Sequence, residues 1–177
     1  MGVVMENPGN IFLGDNVWID NYVILLTGKP KKNGIKIYRK SNSEYSNGEG
    51  ELHIGNNVHI APFCVLQAHG GIAIGNNCGV AAGSKIYSYS NHYKNLNDPT
   101  DKGEYYFTPL ANLENQAYIL SPIVIKDNCA IGLNSVVLPG TIIPKGTWIG
   151  VNTTIQGTAI KENSIYAGDP AKFIKEK

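Results

Sequence analysis

An aliphatic residue returns every six positions through most of the chain. Ile54-Gly55-Asn56-Asn57-Val58-His59 runs directly into Ile60-Ala61-Pro62-Phe63-Cys64-Val65, and Leu66 opens a third unit. The same beat starts at Leu13, Ile19 and Leu25, at Ile74, Val80 and Ile86, at Ile125, Ile131 and Val137, and at Ile143, Ile149 and Ile155. A small or polar residue follows each start, and the fifth place is again apolar or small. Half-buried strands alternate with period two and helices run at 3.6, so neither explains a phase of six held over fifteen starts. A six-residue repeat predicts one short strand and one turn per unit, stacked as a parallel β-helix.

The interruptions carry as much information as the repeat. The starts fall into groups of three with gaps of six inside each group. Between groups, the step from Leu25 to Ile54 holds 23 extra residues, that from Leu66 to Ile74 holds two, and that from Ile86 to Ile125 holds 33. Every one of these follows the third unit of a group. If three units make one turn of a three-sided prism, the excursions leave from one corner and lie above each other along one edge, about 4.8 Å apart per turn. The expected architecture is a single all-β domain over 1–177. It has about five three-sided coils, inserted loops at about 26–51 and 87–122, and a short C-terminal cap at about 160–177. The first insertion is polar, with Lys29-Pro30-Lys31-Lys32 and Arg39-Lys40, and Ile35, Ile37 and Tyr38 can form one arm of a hairpin. The other long insertion carries five tyrosines between Tyr87 and Tyr106, which suggests that it packs against the body.

Composition agrees with a turn-rich β protein. The chain has 20 Gly, 20 Asn and 21 Ile against only 11 Leu and 11 Ala. Asn and Gly suit turns with positive φ, Ile suits strands, and the good helix formers are scarce. A net charge of +1 gives no electrostatic reason for a nucleic acid partner, and no apolar run is long enough to span a membrane. Cys64, Cys78 and Cys129 all fall at the fifth place of a unit, where a small inward side chain is needed. Three cysteines without an export signal point to free buried thiols in a reducing cytoplasm.

Histidine is the plausible base. His53 and His59 belong to the repeat and are expected on its surface. His69 and His92 lie on the edge that carries the excursions, and His92 is flanked by Asn91 and Tyr93, residues able to hydrogen-bond a polar substrate. A neutral imidazole can take a proton from an alcohol near pH 7. The spacing of the four histidines offers no metal set within one chain. No phosphate-cradling glycine loop and no Gly-x-Ser-x-Gly elbow occurs.

With Ile54-Gly55-Asn56-Asn57-Val58, Ser90-Asn91-His92, Ser121-Pro122-Ile123-Val124-Ile125, Ile131-Gly132-Leu133-Asn134-Ser135 and Ala167-Gly168-Asp169-Pro170-Ala171-Lys172 in place, the chain resembles the hexapeptide-repeat acyltransferases. Together these pieces resemble the maltose and galactoside acetyltransferases and the O-acetyltransferases of surface polysaccharides. The resemblance implies a left-handed winding and a homotrimer with active sites between subunits. It implies acetyl-CoA as acyl donor and His92 as general base on a sugar hydroxyl. It places Asn91, Tyr93 and His69 toward the acceptor, Gly132 and Gly150 along the pantetheine arm, and Lys172 and Lys175 at the nucleotide end of the coenzyme. The family's aromatic is missing at Asn128-Cys129-Ala130, and a sugar-contacting Asn is replaced near Ala61. These departures favour a surface glycan or its precursor over maltose or a galactoside. An amino-sugar N-acetyltransferase and a noncatalytic β-helix scaffold are the alternatives.

Overall fold

The computed structural model describes residues 2–30, 33–157 and 159–177. Lys31 and Lys32 of the basic cluster, and Met1 and Thr158 of the expected domain, lie outside the described residues. The described chain is almost entirely short strands and turns, with two single-turn 3-10 segments, Pro8–Asn10 and Leu113–Asn115, and no α-helix.

Successive strands rotate among three parallel sheets, as a six-residue repeat demands. One sheet stacks Ile11–Leu13, Leu52–Ile54, Ile72–Ile74, Ile123–Ile125 and Ile142–Ile143. A second stacks Trp18–Ile19, His59–Ile60, Gly79–Val80, Ala130–Ile131 and Trp148–Ile149, and continues into the antiparallel hairpin of Ser164–Ala167 and Lys172–Glu176. The third stacks Ile24–Leu26, Val65–Gln67, Lys85–Tyr87, Val136–Val137 and Thr154–Ile155, with Val4–Glu6 added at its N-terminal end. Equivalent aliphatic starts pair directly, Ile19 with Ile60, Ile60 with Val80, Val80 with Ile131 and Ile131 with Ile149.

Stacking in register places each inward side chain on its counterpart one turn away. Ile60, Leu66, Ile72, Ile86, Ile131 and Ile143 are buried in one continuous core, together with Cys64, Cys78 and Cys129. Burial pushes the Cys64 thiol above its ordinary pKa, and the contact with Cys78, followed by burial, does the same for Cys129. These cysteines therefore pack as small apolar groups. The aliphatic starts nearest the N-terminus differ from the expected buried columns. Leu13 is 49% exposed and Ile19 only partly buried, because no described strand stacks above them on their two sheets.

Polar ladders hold the corners. Asn16, Asn57, Asn77 and Asn128 all adopt left-handed backbone and pass a side-chain hydrogen bond from turn to turn. Nδ2 of each donates to Oδ1 of the next, at 2.8, 3.2 and 3.2 Å. Beside them, the backbone N–H groups of Asp15, Asn56 and Asn76 donate to Asn56, Asn76 and Asp127 side chains at 2.7, 2.8 and 2.7 Å. Asn tolerates the left-handed region and brings its own hydrogen-bonding group, which explains its abundance here.

The long excursions leave the same edge and pair with each other. Lys36–Arg39 of the first runs parallel to Ala117–Leu120 of the last, which is in turn antiparallel to Tyr89–Asn91. The segment containing Ile37 and Tyr38 is thus not the arm of a local hairpin. Two loops rooted at one corner bring their backbones within pairing distance, and cross-pairing satisfies N–H and C=O groups that a lone excursion would leave to water. Ile131→Ala, at the centre of the core, is expected to cost about 2–5 kcal/mol, and Leu13→Ala at the open end clearly less; urea denaturation of both variants checks the difference.

Candidate active site

The edge bearing the excursions also holds the largest cavity, about 800 Å³. Its wall is assembled from segments far apart in the chain: Glu6, Asn7 and Asn10 near the N-terminus, Gly28 and Lys29 at the root of the first insertion, Glu49 and Glu51 at its return, His69, and Tyr89 with Tyr118 from the paired excursions. The turn at the root is narrow. The Gly28 N–H donates to the Gly50 carbonyl at 2.8 Å, both residues have positive φ, and a Cβ on Gly50 would come within 2.6 Å of the Gly28 backbone. Glycine is required at this crossing.

His69 occupies the short interruption between two turns, and its ring is fixed from two sides. Nδ1 lies 2.8 Å from the Gly28 carbonyl oxygen, and the ring meets Tyr89 edge-on at 5.8 Å. A carbonyl only accepts, so Nδ1 carries a proton, and Nε2 has no hydrogen-bond partner among the described residues. Tyr89 stacks on Tyr118 at 4.5 Å. Burial raises the pKa of the Tyr89 hydroxyl, which stays protonated and able to donate. Glu51 is held below the usual carboxylate range by the hydrogen bond from His53, 2.7 Å away, and by the Gly48 N–H. Glu49 accepts from Arg39 at 3.0 Å. The result is a concave site with an aromatic wall, an imidazole held through Nδ1 and anchored carboxylates, which suits a polyhydroxylated ligand.

His92 is placed differently from His69. It directly follows the strand Tyr89–Asn91, its backbone N–H donates to the Ala117 carbonyl at 2.8 Å, and its ring stacks on the exposed Tyr93 at 4.7 Å. Nδ1 is 2.9 Å from the Lys94 carbonyl and 3.1 Å from the Lys94 N–H. These two contacts ask for opposite tautomers of the ring. His92, Asn91 and Tyr93 do not line the cavity that holds His69. Of the residues anticipated on the acceptor side, His69 alone is in it. Tyr89, Tyr118, Glu49 and Glu51 were not singled out from sequence, although the tyrosine-rich stretch pointed to packing there.

The residues expected along the coenzyme lie on the opposite side of the prism. Gly132 and Gly150 stack one turn apart, and a Cβ on Gly132 would come within 2.5 Å of the Gly150 backbone. Close turn stacking is a reason for Gly132 that is independent of any ligand. Lys172 and Lys175 are exposed on the C-terminal hairpin and have no ion partner among the described residues. No cluster of three or more His, Cys, Asp or Glu that could hold a metal occurs among the described residues. No described helix is long and apolar enough to cross a membrane.

No family model matches the chain. Over 130 residues it is 29% identical to WbbJ of Escherichia coli strain K12, provisionally named a lipopolysaccharide biosynthesis O-acetyl transferase, covering 73% of this chain and 62% of WbbJ. It thus spans less than two thirds of that relative. It is 25% identical over 168 residues to a dTDP-4-amino-4,6-dideoxy-D-glucose acyltransferase of Escherichia coli, covering 95% of this chain and 72% of that enzyme. The structure superposes on AntD, an N-acyltransferase from Bacillus cereus solved with dTDP and 3-hydroxybutyryl-CoA. The TM-score is 0.75 at 21% identity, over 99% of this chain and 77% of AntD, a likeness of fold. In repeat, fold and sequence, the chain resembles the hexapeptide-repeat acyltransferases.

Proposed function

We propose that this chain is a sugar acyltransferase that moves an acetyl group from acetyl-CoA to a hydroxyl of a sugar or surface-glycan precursor. The observation that carries the reading is the His69 cavity, where an imidazole held through Nδ1 and a stacked tyrosine pair face a space large enough for a sugar. Relatives named as O- and N-acyltransferases of sugars support it. The left-handed winding, the count of about five coils, the insertion bounds and a cytoplasmic homotrimer belong to the same proposal. Phe107 and Leu110, 84% and 93% exposed on the long excursion, are apolar side chains that a neighbouring copy would cover.

In this reading, the acceptor enters the cavity and packs one face against Tyr89 and Tyr118. His69 Nε2 accepts a hydrogen bond from one of its hydroxyls and orients it. His92, outside that cavity, is the general base for an attacking hydroxyl that projects from it, taking its proton and returning it to the leaving sulfur, so no nucleophilic Ser or Cys is needed. Lys172 and Lys175 hold the phosphates of the coenzyme, and the small residues Gly132 and Gly150 let its arm approach the backbone. Bound acetyl-CoA supplies the activated thioester carbonyl. Transfer to the amine of an amino sugar is the second reading, favoured by the names of the dTDP-amino-sugar relative and of AntD. Hydroxylamine strips an O-acetyl ester and leaves an N-acetyl amide, so mass spectrometry of treated product separates the two.

His92→Ala is expected to lower kcat by roughly 10²–10⁴, the range for loss of a general base, with circular dichroism unchanged. His69→Ala should act mainly on acceptor KM; if it abolishes turnover while His92→Ala retains it, the two imidazoles have been assigned the wrong way round. Replacing Lys172 and Lys175 together by Ala should weaken acetyl-CoA binding by less than about tenfold per charge, as exposed charge contacts are weak. Titration calorimetry with CoA, beside an unchanged acceptor KM, checks this.

A further inference from the structure

Outside the lining of the cavity just described, the two turns nearest the N-terminus carry an aromatic surface that the proposed transfer does not use. Trp18 is 69% exposed, Phe63 60% and Tyr22 44%. The Tyr22 and Phe63 rings lie parallel, 8° apart in plane and 5.1 Å between centroids. Their backbone is unusual. At ten corners on the two edges flanking the second sheet, the fourth residue of the unit has positive φ. Six of these residues are Asn and two, Gly83 and Gly146, are glycine; the other two are Tyr22 at φ 65 and Phe63 at φ 64. Every other described non-glycine residue with positive φ is Asn. A bulky side chain is a rare occupant of this region; such strain persists only where the surrounding structure holds it, and it clusters at ligand-binding and other functional sites.

The surroundings indicate what the rings meet. Two residues before Tyr22, the Asp20 carboxylate accepts from the Trp18 indole N–H at 2.9 Å and sits 2.8 Å from His59 Nε2, holding both rings in place. The hydrogen bond from His59 keeps Asp20 below the usual carboxylate range. A cavity of about 480 Å³ lies among Asn16, Trp18, Asp20, Asn57, Val58 and His59. A dry contact between copies of the chain would take this charged carboxylate out of water, and charged groups are depleted from interface cores. A nucleotide is disfavoured too, because the lining offers a carboxylate and neither lysine nor arginine to a phosphate. Flat apolar faces beside fixed carboxylate, amide and imidazole groups match a pyranose, which has an apolar C–H face and a rim of hydroxyls.

We propose that Trp18, Asp20, Tyr22, His59 and Phe63 form a binding site for neutral sugar units of a glycan, separate from the acyl-transfer cavity. It does not depend on acyl transfer, and its test reads binding alone. The chain has two tryptophans, so the Trp18 indole N–H signal is assigned in a proton–nitrogen NMR spectrum by its loss in Trp18→Phe. Maltotriose, cellotriose and chitotriose are titrated as neutral probes, with thymidine diphosphate and trigalacturonate as anionic controls. At least one neutral trisaccharide should shift the Trp18 signal saturably while the anions leave it in place. Phe63→Asn and Tyr22→Asn, which relieve the strain, should weaken that binding at least tenfold without lowering the melting temperature, and Asp20→Asn should weaken it as well. The proposal is overturned if no neutral probe shifts the signal, if only an anion does, or if the Asn variants bind like the parent. It is equally overturned if those variants melt more than about 4 °C lower, since the rings would then serve stability, or if sedimentation shows that they break an oligomer, since the surface would then join copies.

Discussion

Backbone pairing between successive turns, at the spacing of neighbouring strands, is the constraint on which the rest of this molecule depends. Each residue of a turn sits on the residue one turn earlier, so a side chain acceptable at one level must be acceptable at every level. Inward places therefore repeat as Ile, Leu and Val with small Cys, Ser and Thr between them. Outward corners repeat as Asn and Gly, because a three-sided path must bend sharply and the left-handed region does so at low cost only for those residues. The Asn ladder turns this geometric need into a chain of side-chain hydrogen bonds running along the prism. Gly132 shows the same constraint from the steric side, where turn stacking leaves no room for a Cβ.

The cavity that holds His69 is made where the repeat is broken. Both long excursions leave the edge that also carries the short interruption at His69. Their roots are pinned to the body, the first by the Gly28–Gly50 crossing and the last by the Ser121 N–H bonded to the Ser88 carbonyl at 3.0 Å. The last excursion folds back on itself, Tyr89–Asn91 against Ala117–Leu120, and the first adds Lys36–Arg39 to that pair. The antiparallel pairing sets Tyr118 beside Tyr89, and the Gly28 carbonyl at the first root holds Nδ1 of His69. The repeat thus supplies rigidity, and the interruptions supply the chemistry.

The strained aromatic pair fits the same logic by exception. A corner rule kept by Asn and Gly at eight positions is broken at two stacked ones, both exposed. In a stacked fold, where each local choice is repeated and reinforced, a local rule broken twice at one spot marks a requirement from outside the scaffold.

The six-residue beat of aliphatic residues was enough to establish the parallel β architecture, the inward cysteines and the single edge from which the excursions leave, because burial and turn geometry in this fold are decided within each unit. His69 and His92 could be placed on that edge by counting alone. Counting could not show that His69 enters the cavity while His92 stands beside Tyr93, nor that Ile37 and Tyr38 pair across to another excursion, nor that Leu13 would be left uncovered. Those outcomes depend on which distant segments meet once the turns are stacked. The cavity wall draws on residues as far apart as Glu6 and Tyr118, and no local period encodes contacts over such separations; only the tertiary structure decides them.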